Sequence, residues 1–322
     1  MSDDGVVKQW LRECRVVVGT GGKGLDVSGL RIQFEITKTI GRTPNPAIIK
    51  IYNLAPANAA KVKTEFDEVL VNVGYKNATL LIFRGNIRYV YQYRDGVDWI
   101  TEIDAADGDK DYSQATCNVT LAKQTDTSQM IDQVVTGFTS TKKGYIKTGT
   151  KKRARGRTFS GMARDALDRI AQDEGAHWSI QDGALELVPV DATLPMEAVR
   201  IASDTGMLGA PELDDKGVTF KCLLNPRLRP NGKAWLDNAG IKASREVARI
   251  GESQQFSATT KKKRGDNAKA PKLTAIKHAA KLDSDGVYKI YKVEHKGDTH
   301  GSDWFTEASC VSLDSPIPKE AK

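Results

Sequence analysis

The sequence predicts a mainly β fold, with a small α/β module between two related β-barrel domains. Apolar side chains occupy every second position in short runs through both ends of the chain, which is the pattern of half-buried strands. Clear helical periodicity is confined to the middle. A segment near residue 90 is echoed near residue 295, and this repeat predicts a duplicated unit. The 322 residues suffice for two domains and a smaller third.

The first element contains a glycine-rich run, Gly19–Gly24, with the G-x-G-x-x-G spacing of a dinucleotide-binding turn. Such a turn needs a helix after it, because the pyrophosphate rests on the N–H groups of a helix N-terminus. The apolar run Arg15–Val18 precedes the glycines, and the residues that follow, Leu30–Lys38, alternate as a strand. We therefore predict a hairpin, in which the glycines supply positive φ angles.

A first barrel is predicted over residues 1–112. After a break at Thr43–Pro46, the chain resumes as a strand and then as the short helix Pro56–Phe66, whose proline lies in the first turn, where a missing N–H costs nothing. Short strands separated by Gly and Pro turns are typical of a small barrel. These strands are Ala47–Leu54, Val69–Tyr75, Thr79–Phe83, Ile87–Tyr93 and Trp99–Ala105.

The α/β module is predicted over residues 113–195. Its clearest element is a helix over Ser160–Gly175, with Ser160 as N-cap and Gly175 as the C-terminal stop. A turn at Gln181–Gly183 joins two strands. The other elements are the strand Cys117–Leu121, the helix Thr127–Phe138, and the strands His177–Ile180 and Ala184–Val190.

A second barrel is predicted over residues 196–322. It is interrupted by a Lys-rich, aromatic-poor stretch at about 242–283, which has the composition of a long loop. Its strands are Val199–Ile201, Gly217–Leu224, Lys233–Leu236, Val287–Val293 and Trp304–Ser312.

The internal repeat joins the two predicted barrels. Ile87-x-x-Val90 is followed by the segment Gly96–Glu102 (GVDWITE), and Ile290-x-x-Val293 is followed by the segment Gly301–Glu307 (GSDWFTE). Five of the seven residues in the second element agree, and both copies end a β region. Trp99 and Trp304 occupy matching positions and are candidate contacts between the barrel repeats. Burial in the core is the favoured expectation for both, because a buried indole removes a large apolar area from water.

Positive charge is concentrated in two basic segments. Residues 142–157 hold eight Lys or Arg and no acid, and residues 242–283 hold eleven against four acids, so the rest of the chain is net acidic. A solvated charged loop is the favoured interpretation of each segment, followed by docking onto an acidic partner. Each segment has one aromatic residue, so contact with nucleic acid would involve the phosphate backbone. The candidate partner or polyanion contacts are Lys142, Lys143, Lys147, Lys151, Lys152, Arg153, Arg155, Arg157, Lys261, Lys262, Lys263 and Arg264.

No catalytic, cofactor-binding or metal site is predicted. The four cysteines lie far apart without a C-x-x-C pair, and no P-loop, nucleophile elbow or H-E-x-x-H motif is present. Glu294–Asp303 gathers two His and three acids, but a solvated polar hairpin turn explains this composition better than a metal site. Asp104, Asp107 and Asp109 would be the carboxylates to test in a glycoside hydrolase, although their spacing is that of a turn.

Neither membrane insertion nor secretion is predicted. No window approaches eighteen apolar residues, and the N-terminal segment has two acids and no long apolar core. We expect the chain to fold in a cytoplasm.

Short motifs follow one another in a specific order along most of the chain. In the first half they are Asn45–Leu54, Val73–Tyr75, Ile82–Ile87 and Asp104–Gly108. In the second half they are Thr205–Glu212, Gly217–Phe220, Leu223–Leu228 and Gly286–Asp298. In that order they resemble the baseplate hub proteins of contractile-tailed, Mu-like bacteriophages. The two basic segments carry no motif of that family.

The resemblance implies two tail-tube-like β-barrels per chain and a homotrimer. Three chains with two barrels each would form a pseudo-sixfold ring, on which a hexameric tail tube can meet a threefold spike. It further implies a structural virion protein that is not an enzyme and needs no cofactor. Its partners would be the tail tube protein, the central spike protein and other baseplate proteins, and genomic DNA would pass through without sequence recognition. The protein would be assembled in the bacterial host cytoplasm and reside in the tail baseplate.

Two other classes of function remain open from the sequence. A tail-associated cell-wall hydrolase would turn over peptidoglycan. A DNA-binding module acting through the basic segments would be retained on duplex DNA in a salt-sensitive manner.

Overall fold

The first β region spans residues 12–106. The computed structural model describes residues 11–76, 78–149, 154–214, 216–237, 241–243 and 286–313. The elements of the first β region are β1 (Arg12–Thr20), β2 (Lys23–Asp26), β3 (Ile32–Thr39), β4 (Pro46–Tyr52), α1 (Pro56–Thr64), β5 (Glu68–Tyr75), β6 (Ala78–Asp95) and β7 (Asp98–Ala106).

The α/β module spans residues 109–189 and has two small sheets, β10-β8 and β11-β12-β9. Its elements are α2 (Asp109–Gln114), β8 (Thr116–Leu121), α3 (Thr127–Val134), β9 (Lys142–Ile146), β10 (Arg157–Met162), α4 (Ala163–Glu174), β11 (Ala176–Gln181) and β12 (Ala184–Pro189).

The second β region spans residues 199–312. Its strands are β13 (Val199–Ile201), β14 (Glu212–Leu213), β15 (Val218–Leu223), β16 (Lys233–Leu236), β17 (Lys242–Ala243), β18 (Val287–Asp298) and β19 (Trp304–Ser312). Most of the predicted basic stretch at 242–283 lies outside the described residues. Within the described ranges, no helix is long and apolar enough to cross a membrane.

The strands of both β regions belong to one hydrogen-bonded sheet. Its order is β17-β14-β15-β19-β18-β3-β4-β7-β6-β5-β1-β2, and β16 pairs with β18 and β13 beside this path. The mainly β prediction is therefore confirmed. Where two barrels were predicted, the described strands form a single path that ends at β17 on one side and at β2 on the other.

Each part of the chain has its own cluster of buried apolar side chains. Ile49 and Phe83 belong to the core of the first β region, Leu167 to that of the α/β module, and Tyr288 to that of the second β region. Trp304 is a second-region residue that lies in the first region's core. The two β regions therefore share apolar contacts as well as a sheet.

The predicted glycine hairpin is confirmed. β1 and β2 are antiparallel, with Thr20 opposite Lys23, and the connecting Gly21 and Gly22 have φ angles of 57° and 87°. A strand on each side of the glycines leaves no helix N-terminus for a pyrophosphate.

The predicted start of the second module helix is wrong, and its predicted end is confirmed. Ser160 lies in β10, opposite Asn118 of β8, and α4 begins only at Ala163. Strand pairing and burial of the neighbouring Phe159 outweigh the capping preference of a serine. Gly175 ends the helix in the left-handed conformation, with φ of 61°.

The two strands predicted over 79–83 and 87–93 are one long strand, β6. Gly85 does not make a turn between them. A Cβ at Gly85 would lie 2.6 Å from the carbonyl oxygen of Ala106, so the glycine permits close approach of the two backbones. A bulge between Ile87 and Tyr89 then changes the register with β7.

Candidate functional site

The outer half of β18 joins the two β regions. Lys292–Asp298 pairs on one side with β19 and on the other with Gln33–Thr39 of β3. Because both edges are occupied, side chains of this half-strand are largely enclosed, and Val293 and His295 are buried. We call this pairing of β18 with β3 the junction.

Charged side chains bind the junction together. Asp298 accepts hydrogen bonds from Arg31 at 2.7 Å and from Gln33 at 2.8 Å. Burial opposes ionisation of Asp298, but the hydrogen bonds, that from Arg31 foremost, hold the pKa of this carboxyl well below its usual range. Lys296 lies 3.1 Å from Glu35 on the neighbouring strand. The junction therefore combines sheet pairing with charge-assisted hydrogen bonds.

Trp304 fills the apolar side of the junction. Its ring meets Phe34 of β3 edge to face, with centroids 5.8 Å apart, and the guanidinium of Arg12 lies 5.6 Å from its centroid. Only 2% of Trp304 is exposed. Its predicted burial in the core is confirmed, and the covering residues come from the first β region.

The segment predicted to be a solvated polar turn is half strand, because Glu294–Asp298 belongs to β18 and only Thr299–Asp303 connects it to β19. His295 is buried in β18, with its Nδ1 2.9 Å from the hydroxyl of Thr306. Burial, and then the nearby Lys38, lower the pKa of His295 to about 3, so the imidazole is neutral at physiological pH. No group of three or more metal-ligating side chains occurs among the residues that the structure describes.

The hairpin β6–β7 matches the hairpin β18–β19 pair for pair. Each long strand has a bulge after an isoleucine, between Ile87 and Tyr89 in β6 and between Ile290 and Lys292 in β18. Beyond the bulges the two registers correspond without a shift. Matching pairs are Val90–Ile103 with Val293–Ala308, Gln92–Thr101 with His295–Thr306, Tyr93–Ile100 with Lys296–Phe305, and Arg94–Trp99 with Gly297–Trp304.

Strands beside the two hairpins correspond as well. β4 and β15 pair antiparallel with β7 and β19, and β5 and β16 pair antiparallel with β6 and β18. The order β3-β4-β7-β6-β5 in the first β region therefore corresponds to β14-β15-β19-β18-β16 in the second.

The matched hairpins differ sharply in exposure. Trp99 is 58% exposed, so its predicted burial is wrong. Tyr89 and Tyr91 are 60% and 52% exposed, and Gln92, which matches the buried His295, is exposed too. The physical reason lies in the strands beside β6. Its outer half has β7 on one edge and no described strand on the other, because β5 pairs with β6 only as far as Asn86. Trp99 and Trp304 lie on strands separated in the sheet by β18, β3 and β4.

The α/β module docks on the first β region through buried charges. The carboxylate of Asp107 accepts hydrogen bonds from the backbone N–H groups of Asp182 and Gly183. Lys38 donates to both carboxylate oxygens of Asp182 at 2.7 Å. Burial, and then the neighbouring Asp182, raise the pKa of Asp107 to about 7. The sequence predicted the Gln181–Gly183 turn but not its contact with Asp107. The only sequence signal of this contact is an aspartate directly after the strand that ends at Ala106.

The carboxylates considered for hydrolysis do not form a catalytic pair. Asp107 is fully buried with both oxygens bonded to backbone N–H groups, so a sugar cannot reach it. Asp109 is paired with Arg88 at the start of α2. The raised pKa of Asp107 therefore reflects a structural contact and not an acid facing a cleft.

The first basic segment is less of a loop than its composition predicts. Lys142–Ile146 forms β9, which pairs parallel with β12. Lys143 is paired with Asp132, and Arg157 with Asp173. The positive charge of this segment does not prevent it from forming a strand, because the charged side chains point to solvent while the backbone hydrogen-bonds to β12.

Three of the remaining basic candidates lie among the described residues. Lys142, Lys147 and Arg155 are exposed. Lys151, Lys152, Arg153, Lys261, Lys262, Lys263 and Arg264 lie outside the described residues.

Comparison with known sequences gives one family match. The sequence profile of the family described as Baseplate hub gp41 matches residues 14–238. A search of curated protein sequences found no match.

Several solved structures have a similar fold. A 43 kDa tail protein of prophage MuSo2 from Shewanella oneidensis has a TM-score of 0.55 at 11% identity, and the match covers 94% of this chain and 100% of that chain. A tail protein from Neisseria meningitidis MC58 has a TM-score of 0.57 at 10% identity, covering 96% of this chain and 100% of that chain.

The third similar structure is the c3393 protein of E. coli, a component of the type VI secretion system that exhibits structural similarity to the T4 bacteriophage tail proteins gp27 and gp5. Its TM-score is 0.53 at 10% identity, and the match covers 94% of this chain and 77% of that chain. At these identities the likeness concerns the fold alone.

Proposed function

Because this chain belongs to the baseplate hub gp41 family of phage tail proteins, we propose that it forms the trimeric hub that joins the hexameric tail tube to the threefold central spike. The hub would be a structural part of the virion, located in the tail baseplate and assembled in the bacterial host cytoplasm. Its partners would be the tube protein, the spike protein and other baseplate proteins.

The observation that carries the proposal is the correspondence of the two hairpins, down to the position of the bulge. It supports a division into two related tube-like units, over residues 1–112 and 196–322, with the α/β module at 113–195 as an insertion between them. A bulge is a specific local feature of a strand, and its recurrence at a matching isoleucine is a stronger sign of duplication than sequence identity.

Duplication provides the symmetry that the proposed position requires. A tube with six subunits and a spike with three cannot share one symmetric interface unless the adaptor shows six similar faces on one side. Three copies of a chain with two similar units present those six faces. Everything outside the duplicated units stays threefold and is free to contact the spike.

In this arrangement genomic DNA would cross the centre of the ring without sequence recognition. Lys143 and Arg157 are each paired with an aspartate, so their charges attract phosphates less than unpaired cations would. A protein that lines a passage must release the polymer as readily as it admits it.

The proposal is tested by the solution mass of the purified chain, measured by light scattering coupled to size exclusion, alone and with the spike protein of the same particle. We expect a mass near three times 35.2 kDa in at least one condition. A stable dimer, or a monomer that ignores the spike, would contradict it.

The same preparation can be used to test the two other classes of function, a cell-wall hydrolase and a DNA-binding module. A structural hub is expected to release no fragments from purified peptidoglycan. It is also expected to elute from a duplex DNA column at low salt, since a DNA-binding module would be retained there and released only as the salt concentration rises.

A further inference from the structure

The outer half of β6, Tyr89–Asp95, is a strand edge that the described part of its own chain leaves open. Among the described strands only β7 pairs with it, because β5 ends its pairing at Asn86. The matching half-strand of β18 has β3 on that same edge. We propose that a second copy of this chain occupies the open edge, with its β14 strand in the place that β3 takes at the junction. This inference rests on the proposed assembly and names the surfaces that form it.

The two tryptophans show what is missing. Trp304 and Trp99 take the same place in matching hairpins, yet 2% of the first and 58% of the second are exposed. Trp304 owes its burial to Phe34 of β3 and to Arg12, that is, to a neighbouring unit. An equivalent neighbour on β6 would bury Trp99 and the exposed backbone edge beside it.

The strand that should lie there can be identified from the register. Glu35 of β3 lies opposite Ile48 of β4. The residue that corresponds to Ile48 in the second β region is Thr219 of β15. Glu212 of β14 lies opposite Thr219. Glu35–Ile36 therefore corresponds to Glu212–Leu213, and the residue types agree.

The register of the new contact follows from the same correspondence. At the junction Glu35 lies opposite Lys296, whose match in the first hairpin is Tyr93. Tyr93 of one copy is therefore expected opposite Glu212 of the next. Tyr93 and Glu212 are both exposed, so each side chain is accessible to a second copy.

The outer edge of β14 carries the two-residue strand β17, which pairs with it in parallel. The incoming half-strand of β6 would replace β17. The exchange gains strand pairs if β14 lengthens beyond Glu212–Leu213, because β17 already pairs with both of these residues. The junction shows the full length of such a pairing, since Gln33–Thr39 of β3 pairs with Lys292–Asp298.

The contact is heterologous, because the first region of one copy binds the second region of the next. Such contacts give a closed ring when the rotation between copies closes, and an open filament when it does not. With the junction and the new contact alternating, each pair of neighbouring units is joined by the same type of strand pairing, and three copies give a ring of six units.

Cysteine cross-linking tests the contact in the full chain. Tyr93→Cys and Glu212→Cys are made as separate chains, mixed during assembly and oxidised. Directly opposite residues in antiparallel strands have Cβ atoms about 5 Å apart, within reach of a disulfide after a small adjustment. We expect a disulfide-linked pair that contains one chain of each variant. The double variant is expected to give covalent species up to three chains and none larger.

Val97→Cys with Glu212→Cys is the matched control, because Val97 is 85% exposed at the tip of the same hairpin but has no predicted partner. Equal cross-linking in the control would overturn the contact. A disulfide-linked dimer of the Tyr93→Cys chain alone would also overturn it, because such a dimer indicates that β6 pairs with β6 of another copy. A wild-type trimer without the mixed cross-link would overturn this inference and leave the proposed hub intact. A wild-type monomer that ignores the spike would overturn both.

Discussion

At the scale of single residues, the most unusual groups are the buried ions that hold the α/β module to the first β region. Lys38 is almost fully buried and binds Asp182, and Asp107 is fully buried a short distance away. Separating charges from water costs several kcal/mol per ion unless partners replace the water. Their partners come from both parts of the chain, so the cluster forms only when the module is docked.

The pKa of Asp107, raised to about 7, makes the stability of the docked state depend on pH. Because the ordinary value is 3.8, the folded chain keeps a proton that the unfolded chain releases between about pH 4 and 7. The free energy of unfolding should therefore fall as pH rises through that window, by up to about 4 kcal/mol from this residue.

Asp107→Asn is expected to remove this part of the pH dependence, since an amide does not titrate. Urea unfolding measured from pH 4.5 to 8 should show the variant losing stability relative to the wild type at low pH and recovering that difference at high pH. Asp104→Asn, on the same strand, is the control. A variant whose difference from the wild type stays constant with pH would contradict the assigned role of Asp107.

Burial of a single residue was predicted correctly from sequence where the residues that cover it belong to the same chain. Trp304 was expected in the core and is there, whereas Trp99 was expected in the core and is exposed. The two lie in closely similar local sequences, GVDWITE and GSDWFTE, which predict the same burial for both. What separates them is the strand next to each hairpin, because β3 pairs with β18 beside Trp304, whereas no described strand takes that place on β6 beside Trp99.

At the scale of elements, the two hairpins form a natural comparison, because one is enclosed by a neighbouring strand and the other is open. Their matching tryptophans should therefore affect different properties. Trp304 supports the fold of the single chain, and Trp99 is expected to support assembly.

Trp304→Ala should lower the free energy of unfolding by about 3–5 kcal/mol, as expected for a large buried side chain. Trp99→Ala should lower it by less than about 1 kcal/mol, since more than half of this side chain is already exposed. Urea unfolding measures the first property, and the fraction of trimer in light scattering measures the second. Equal losses of stability, or a Trp99→Ala chain that assembles as well as the wild type, would contradict this division.

Element prediction from sequence was reliable for strands and weaker for their limits. The glycine hairpin followed from strands on both sides of Gly19–Gly24. Ser160 has the residue type of a helix N-cap, but pairing with β8 makes it part of a strand. Gly85 lies within a strand and allows the backbone of Ala106 to approach closely, and it does not form a turn. In both cases pairing with a neighbouring strand of the sheet, β8 for Ser160 and β7 for Gly85, determined the local structure.

At the scale of the whole molecule, the chain is mainly β, and the two β regions share one sheet. The sequence pattern identified both regions and the repeat that relates them. It did not reveal the junction, because the pairing of β18 with β3 joins residues more than 250 positions apart and has no local signature. Among the described strands, the outer half of β6 pairs on one edge only, which agrees with the proposal that a further copy completes the sheet there.

The most direct test of the proposed assembly is a reconstruction of the assembled tail tip by electron cryomicroscopy. We expect a ring built from three copies and six similar sheet units, in which Tyr89–Asp95 of each copy pairs with the second β region of the next. A ring of six copies, or three copies whose β6 outer halves face solvent, would contradict it.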